Sequence, residues 1–203
     1  MKMFAKIMEY FFSKPVIYNF VRKPIAGDQR EVKEFVLTNI KKFRAKSILD
    51  VGCGTGDYVP IVPLTVQYLG IDTNEQYLSY VKNHFKAKNR KFLLQDATKT
   101  KFYQDKKFDI VILISILHHL SDDELSIILP QIRKVAKKAI IFTDIVPDPG
   151  GWLPKLLVKL DRGQYVRSRE EKLKLIKKHL KVNNVKMLDQ KLATVCGVVC
   201  VAE

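Results

Sequence analysis

Cysteine is scarce in this chain: three among 203 residues, at Cys53, Cys196 and Cys200. Cys196 and Cys200 lie four apart in an apolar stretch, on one face of an expected strand but too widely separated to bridge within it. The pattern fits a reducing compartment, and a cytoplasmic setting is expected. No Cys or His cluster has the ligand spacing of a zinc site, so no metal is expected. Long apolar runs are missing too. The longest strongly apolar stretch, Ile110 to Leu117, is far short of the roughly 20 residues that span a bilayer, so no transmembrane helix is expected. Met1 to Phe20 is interrupted by Lys2, Lys6, Glu9 and Lys14 and has no small-residue cleavage site, unlike a secretory signal. There is no internal repeat, no low-complexity tract, and no Arg-rich or aromatic-interleaved tract of the kind that stacks bases.

Acidic residues are the minority charge, 21 against 36 basic, for a net +15. The excess is spread along the chain: residues 22–46 hold 8 basic and 3 acidic side chains, 82–107 hold 9 and 2, and 151–191 hold 12 and 4. A lysine-rich solvated surface and a polyanion-contacting face both fit this distribution, and nucleic acid is not the favoured partner. Apolar content of 47% suffices for one well-buried domain of ordinary size. We expect an N-terminal helical appendage over 1–27 and a domain over 28–203. In the appendage Met3, Phe4, Ile7, Met8, Phe11 and Phe12 recur at near-helical spacing. Such a helix can cap a substrate cleft, lie peripherally on a membrane surface, or pack on the domain.

From Asp28 onward, strands and helices alternate. A helix carrying Val32, Phe35, Val36, Ile40 and Phe43 leads to a strand over 47–51. Further strands are expected over 66–72, 90–95, 108–115 and 138–145. The fourth is apolar without alternation, as for a central strand covered on both faces. Ser121 and Glu124 form a capping-box signature for a helix that Pro130 should bend. Beyond a helix over 168–180, strands over 184–189 and 194–202 have only a short connection and should pair antiparallel. The result is a three-layer α/β domain with a mostly parallel sheet.

Glycine, nine residues in all, is concentrated where it matters: Asp50-Val51-Gly52-Cys53-Gly54-Thr55-Gly56 follows the first strand. Each glycine removes a Cβ where backbone bends sharply or approaches a ligand, and a helix beginning near Asp57 would add free N–H groups. Pro60 and Pro63 allow that helix to be only short or distorted. Three features follow at later strand ends: Asp72, Asp96-Ala97, and His118-His119-Leu120 after the apolar strand.

Taken in order, these four features resemble the class I S-adenosylmethionine-dependent methyltransferases, of the small-molecule type, over roughly residues 28–203. The resemblance implies a Rossmann-like three-layer sandwich whose seven-stranded sheet ends in an antiparallel hairpin, with S-adenosylmethionine as methyl donor and S-adenosylhomocysteine as product. It implies that Gly52, Cys53 and Gly54 meet the methionine part, with Asp50 favouring its ammonium group. Asp72 would accept the ribose hydroxyls, Asp96 would meet the adenine amino group beside the Ala97 N–H, and Ser115 or Ile116 would line the adenosine and sulfonium region. His118 and His119 are candidates for a base or positioning donor, with loop support as the plainer role. Asp144, Tyr165 and Arg167 are candidates for the substrate side, with turn or ion-pair roles as the alternative.

Two departures stand out. The Pro-Gly-Gly turn many relatives carry before the fifth strand is replaced by Val135-Ala136-Lys137-Lys138, and the Asn or Asp-Pro-Pro-aromatic motif of many nucleic-acid amino-group methyltransferases is missing. A dinucleotide-binding oxidoreductase is disfavoured, because the loop is Gly-x-Gly-x-Gly and Asp57 would repel a pyrophosphate. The expected function is methyl transfer to a small or lipid-like acceptor. RNA methylation and cofactor binding without catalysis are the alternatives, and no motif names the acceptor or an oligomeric state.

Overall fold

The computed structural model describes residues 29–104, 107–147, 164–190 and 193–202. In chain order they form helix α1 (Arg30–Lys42), strand β1 (Ser47–Val51), a 3-10 turn (Val59–Ile61), β2 (Gln67–Asp72), α2 (Glu75–His84), β3 (Arg90–Leu94), a 3-10 turn (Thr100–Tyr103), β4 (Phe108–Ile114), a 3-10 turn (Leu117–His119), α3 (Asp122–Val135), β5 (Ala136–Val146), α4 (Arg169–Lys177), β6 (Lys181–Gln190) and β7 (Ala193–Val201). The seven strands make one sheet in the order β3-β2-β1-β4-β5-β7-β6. β1 to β5 run parallel, and β7 lies antiparallel between β5 and β6. The expected three-layer fold with a C-terminal hairpin is therefore the one observed. The expected appendage over 1–27 lies outside the described residues.

The layers follow from side-chain direction. Ile110, Ile112 and Ile114 of β4 face α1 and α2, where Val32, Phe35, Val36, Ile40, Leu78 and Val81 complete one core. Val111 and Leu113 face α3 and α4, where Leu125, Ile128, Leu129, Ile132 and Ile176 complete the other. Both faces being covered, β4 is apolar without alternation from Ile110 to Ile114, and its one polar residue, Asp109, sits at the N-terminal end. Each fully buried Ile or Leu contributes about 1.5 to 3 kcal/mol, so these two cores dominate the stability. α3 begins at the expected capping box, with the Ser121 hydroxyl and the Glu124 carboxylate each bonding the other's backbone N–H, and it continues on both sides of Pro130. β5 follows it directly at Ala136, without a glycine turn.

After β1 the helix expected near Asp57 is reduced to the short 3-10 turn, with Pro60 in its first turn. Backbone carbonyls freed in this stretch are taken up by the buried Arg90, whose guanidinium donates to Val66 O at 2.6 Å, Val62 O at 2.5 Å and Pro63 O at 3.1 Å. Arg90 thus ties the start of β3 to the segment beneath the glycine loop. Replacing it with methionine leaves these acceptors without that donor and is expected to lower unfolding stability by about 2 to 4 kcal/mol, read from denaturant midpoints. A loss below about 0.5 kcal/mol would show that the carbonyls find water instead.

Candidate functional site

The sheet order reverses at β1, whose neighbours β2 and β4 carry the chain to opposite sides, and the loops leaving their C-terminal ends separate there. A cleft of about 450 Å3 opens at this point. Its floor is the glycine loop. The Gly52 and Cys53 N–H groups both donate to Ile71 O, at 2.8 and 3.0 Å, folding the loop back over β2. Gly52 and Gly54 have φ of +76° and +53°, the left-handed region that disfavours a side chain. A Cβ on Gly52 would lie 2.3 Å from Ile116, whereas one on Gly54 would meet nothing within 4 Å. Gly54 therefore presents bare backbone to open space in the cleft.

Asp72 ends β2 at the cleft wall. Its Oδ2 accepts the Gly54 N–H at 2.8 Å and its Oδ1 the Asn74 N–H at 2.8 Å. Burial raises its pKa, and these N–H groups oppose the rise. Asp96 also lines the cleft, but its Oδ1 closes a turn, accepting the Thr98 N–H at 2.8 Å and hydroxyl at 2.7 Å. Those two bonds hold it below the usual carboxylate range. Ala97 and Ser115 complete this side. Ser115 has φ +54° and donates its N–H to Thr143 O at 2.7 Å, so the loop after β4 leaves the sheet sharply.

Asp50 and Cys53 lie behind the glycine loop. Asp50 is buried and its Oδ2 accepts the Tyr68 hydroxyl at 2.5 Å. Burial pushes its pKa up to about 7, against the Tyr68 hydrogen bond and with the nearby Asp72 charge. Cys53 is buried against Gly70 of β2, and burial pushes its thiol up. Neither lines the cleft, so any influence of Asp50 on a bound ammonium acts through the loop.

The two histidines part company. His119 is exposed and lines the cleft. His118 is fully buried beneath it, ring against ring at 4.1 Å, with Nδ1 2.5 Å from Asp144 Oδ1. The other Asp144 oxygen is 3.3 Å from the Lys172 ammonium of α4, which also donates to Ile145 O. Side-chain exposures of 0%, 1% and 3% for His118, Asp144 and Lys172 make this a dry cluster. Burial pushes Asp144 up, but hydrogen bonding and attraction from His118 and Lys172 more than offset it and hold the carboxyl below its usual range. Burial lowers Lys172, partly countered by Asp144.

Asp144, Tyr165 and Arg167 are all absent from the described lining of the cleft, away from the substrate side where they were expected. In β5, Asp144 shares the face of Ile140 and Phe142, directed at α4. Arg167 pairs with Asp122 at 2.6 Å and donates to Leu117 O and Leu120 O at 2.9 and 2.8 Å, clamping both ends of the His118-His119 turn. Tyr165 donates its N–H to His118 O at 3.0 Å, and its ring is partly exposed beside Arg167. Thr73, Asn74, Tyr77, Gln95, Glu124 and Ile128 line the cleft without having been singled out as site residues. Glu124 carried a visible signal as a helix-start residue. Among the described residues no lysine or arginine lines the cleft, whereas Asp72, Asp96 and Glu124 do. Among the described residues, no group of three His, Cys, Asp or Glu side chains is placed to hold a metal ion.

Two measurements check this geometry. The raised Asp50 value contributes stability that is complete below the ordinary 3.8 and is lost as pH rises toward 7. The stability advantage of Asp50→Asn over the parent should therefore grow between about pH 5 and 8, by up to roughly 3 kcal/mol. An advantage independent of pH would contradict it. Lys172→Met strands the Asp144 carboxylate and is expected to cost about 3 to 5 kcal/mol, most of it recovered in Lys172→Met with Asp144→Asn. Additive losses in the double variant would show the two groups to be uncoupled.

Comparison with known proteins agrees with this architecture. Residues 48–139 match the family model of a methyltransferase domain. A curated relative, the ubiquinone biosynthesis O-methyltransferase of Pelagibacter ubique (strain HTCC1062), is 28% identical over 125 residues, covering 61% of this chain and 49% of the relative, so the match spans about half that protein's length. Among solved structures, magnesium protoporphyrin IX methyltransferase of Synechocystis PCC 6803 with bound S-adenosylhomocysteine superposes with TM-score 0.72 at 16% identity, over 98% of this chain and 100% of that one. The N-methyltransferase NodS of Bradyrhizobium japonicum WM9 superposes with TM-score 0.65 at 11% identity, over 86% and 98%. The matched segment, the sheet order and the strand-end motifs agree: residues 48–139 are similar to a methyltransferase domain, and the chain shares the fold of solved methyltransferases, one of them holding S-adenosylhomocysteine.

Proposed function

We propose that the protein transfers the methyl group of S-adenosylmethionine to a small-molecule or lipid-like acceptor. The observation that carries this reading is the charge of the cleft: in a chain of net +15, its described lining residues include Asp72, Asp96 and Glu124 and no lysine or arginine. Such a wall suits a cofactor bearing a sulfonium and an ammonium and repels one bearing a pyrophosphate. The donor supplies an activated methyl carbon for in-line displacement, in which the acceptor's lone pair forms the new bond and the old carbon–sulfur pair returns to sulfur.

The chain's own residues then align and desolvate. Gly54 leaves room for the methionine part, and Asp72 keeps lone pairs for the ribose hydroxyls beside those given to Gly54 and Asn74. Asp96 and the Ala97 N–H meet the adenine, and Ser115 lines the sulfonium side. His119, at the cleft, is the base or positioning donor for an acceptor proton, while His118 anchors its turn from below. Asp144, Arg167 and Tyr165 act by holding the turn, Tyr165 through its N–H bond to His118 O. The division into an appendage over 1–27 and a catalytic domain over 28–203 belongs to the same proposal.

The ubiquinone relative's name supports an oxygen nucleophile on a lipid-like acceptor. Among the described residues no helix is long and apolar enough to cross a membrane. RNA methylation is disfavoured by the same acidic wall, which repels a phosphate backbone. The test is release of S-adenosylhomocysteine with a panel of phenol, carboxylate and amine acceptors, with phenols expected to be turned over. Cofactor binding with no turnover across the panel would favour a non-catalytic partner protein. Asp72→Ala is expected to weaken S-adenosylhomocysteine binding by about 2 to 3 kcal/mol in calorimetry, through lost charge-assisted hydrogen bonds. His119→Ala should lower turnover and leave that affinity within about twofold. Unchanged affinity in the first variant would refute the Asp72 role.

A further inference from the structure

Part of the cationic excess gathers in a second cavity at the other end of the sheet. This cavity has a volume of about 570 Å3 and is lined by Lys107, Arg133, Lys134, Lys137 and Lys178, with His179 beside them. None of its described lining residues is acidic. The five cations come from separate segments: Lys107 precedes β4, Arg133 and Lys134 end α3, Lys137 starts β5, and Lys178 follows α4. These are the N-terminal ends of β4 and β5, whereas the cofactor cleft lies at the C-terminal ends of the parallel strands. A seven-residue strand such as β4 spans roughly 20 Å, so the two cavities open on opposite faces.

The plainer explanation is helix termini, since α3 and α4 both end here and cations favour helix C-termini. Lys107 does donate to the Lys134 carbonyl in this way. Each terminus carries roughly half a negative charge, and the Asp109 carboxylate attracts Lys137, so together they offset about two of the five positive charges. The remainder repel one another, and a bound anion relieves that repulsion. The volume lies within the roughly 300 to 1,000 Å3 of ordinary ligand sites, more than a single phosphate fills.

We propose that this cavity binds a compact anion bearing two or more phosphate groups, as a ligand remote from the methyl-transfer site and not as the acceptor. Its position separates it from the chemistry: a phosphate seated here faces away from the acidic cofactor cleft, so binding neither blocks nor needs the methyl donor. The proposal is independent of which acceptor is methylated.

The probe is tripolyphosphate, titrated into the full chain by calorimetry at about 100 mM salt, where charges more than a Debye length apart are screened. One site per chain is expected, weakening as salt rises. Arg133→Glu with Lys137→Glu should reduce the affinity at least about tenfold, whereas Lys86→Glu with Lys91→Glu, an equal charge change on exposed residues outside the cavity, should keep it within about twofold. Should the first pair unfold the chain, Arg133→Gln with Lys137→Gln carries the same test with an expected loss of about threefold. Equal losses in both pairs would overturn the proposal in favour of diffuse surface charge. Binding to RNA or to phosphatidic acid vesicles with none to tripolyphosphate would overturn it in favour of a macromolecular surface.

Discussion

The Gly54 N–H bond to Asp72 Oδ2, 2.8 Å long, joins the ends of β1 and β2 into one site. It forms only because Gly52 and Gly54 take left-handed backbone and because the loop is folded back onto Ile71 O. Without that fold-back the strand end would run outward and the cleft would have no floor. The same bond leaves Asp72 fixed but unsaturated, with lone pairs still directed into the cleft. Beneath the loop, Asp50 and Tyr68 support it from the core, at the electrostatic cost of a carboxyl whose pKa is pushed up to about 7. A buried acid of that kind is a liability for stability, carried here directly behind the loop that floors the cleft.

The opposite wall is built with comparable redundancy. The turn after β4 carries His119 to the cleft, and it is held by Arg167 at the Leu117 and Leu120 carbonyls and by Asp144 at the His118 ring. Lys172 closes the cluster from α4, so a helix far along the chain helps set the position of a cleft residue. Charge is sorted on a larger scale too: among the described residues carboxylates line the cleft at the C-terminal strand ends and cations line the cavity at the other end of the strands.

Much of the fold was legible in the residues. The unbroken apolar run of β4, the capping-box pair Ser121 and Glu124, and the short link between the last two strands each mark an element through local physics alone. The glycine loop and Asp72 were legible as strand-end features, and resemblance supplied their roles. What was not legible came from contacts between distant segments. Lys172 reads as one more lysine in a lysine-rich helix, and only the sheet places it against Asp144. Arg167 binds backbone carbonyls, which leave no side-chain pattern to read. The charge sorting was hidden as well, because basic residues are spread along the chain and converge only through topology.

The most direct test of the account is calorimetric titration of the unmodified chain with S-adenosylmethionine and, in parallel, with NAD+. The account predicts one S-adenosylmethionine bound per chain and no saturable binding of NAD+, whose pyrophosphate the acidic wall repels. NAD+ binding tighter than S-adenosylmethionine would contradict it.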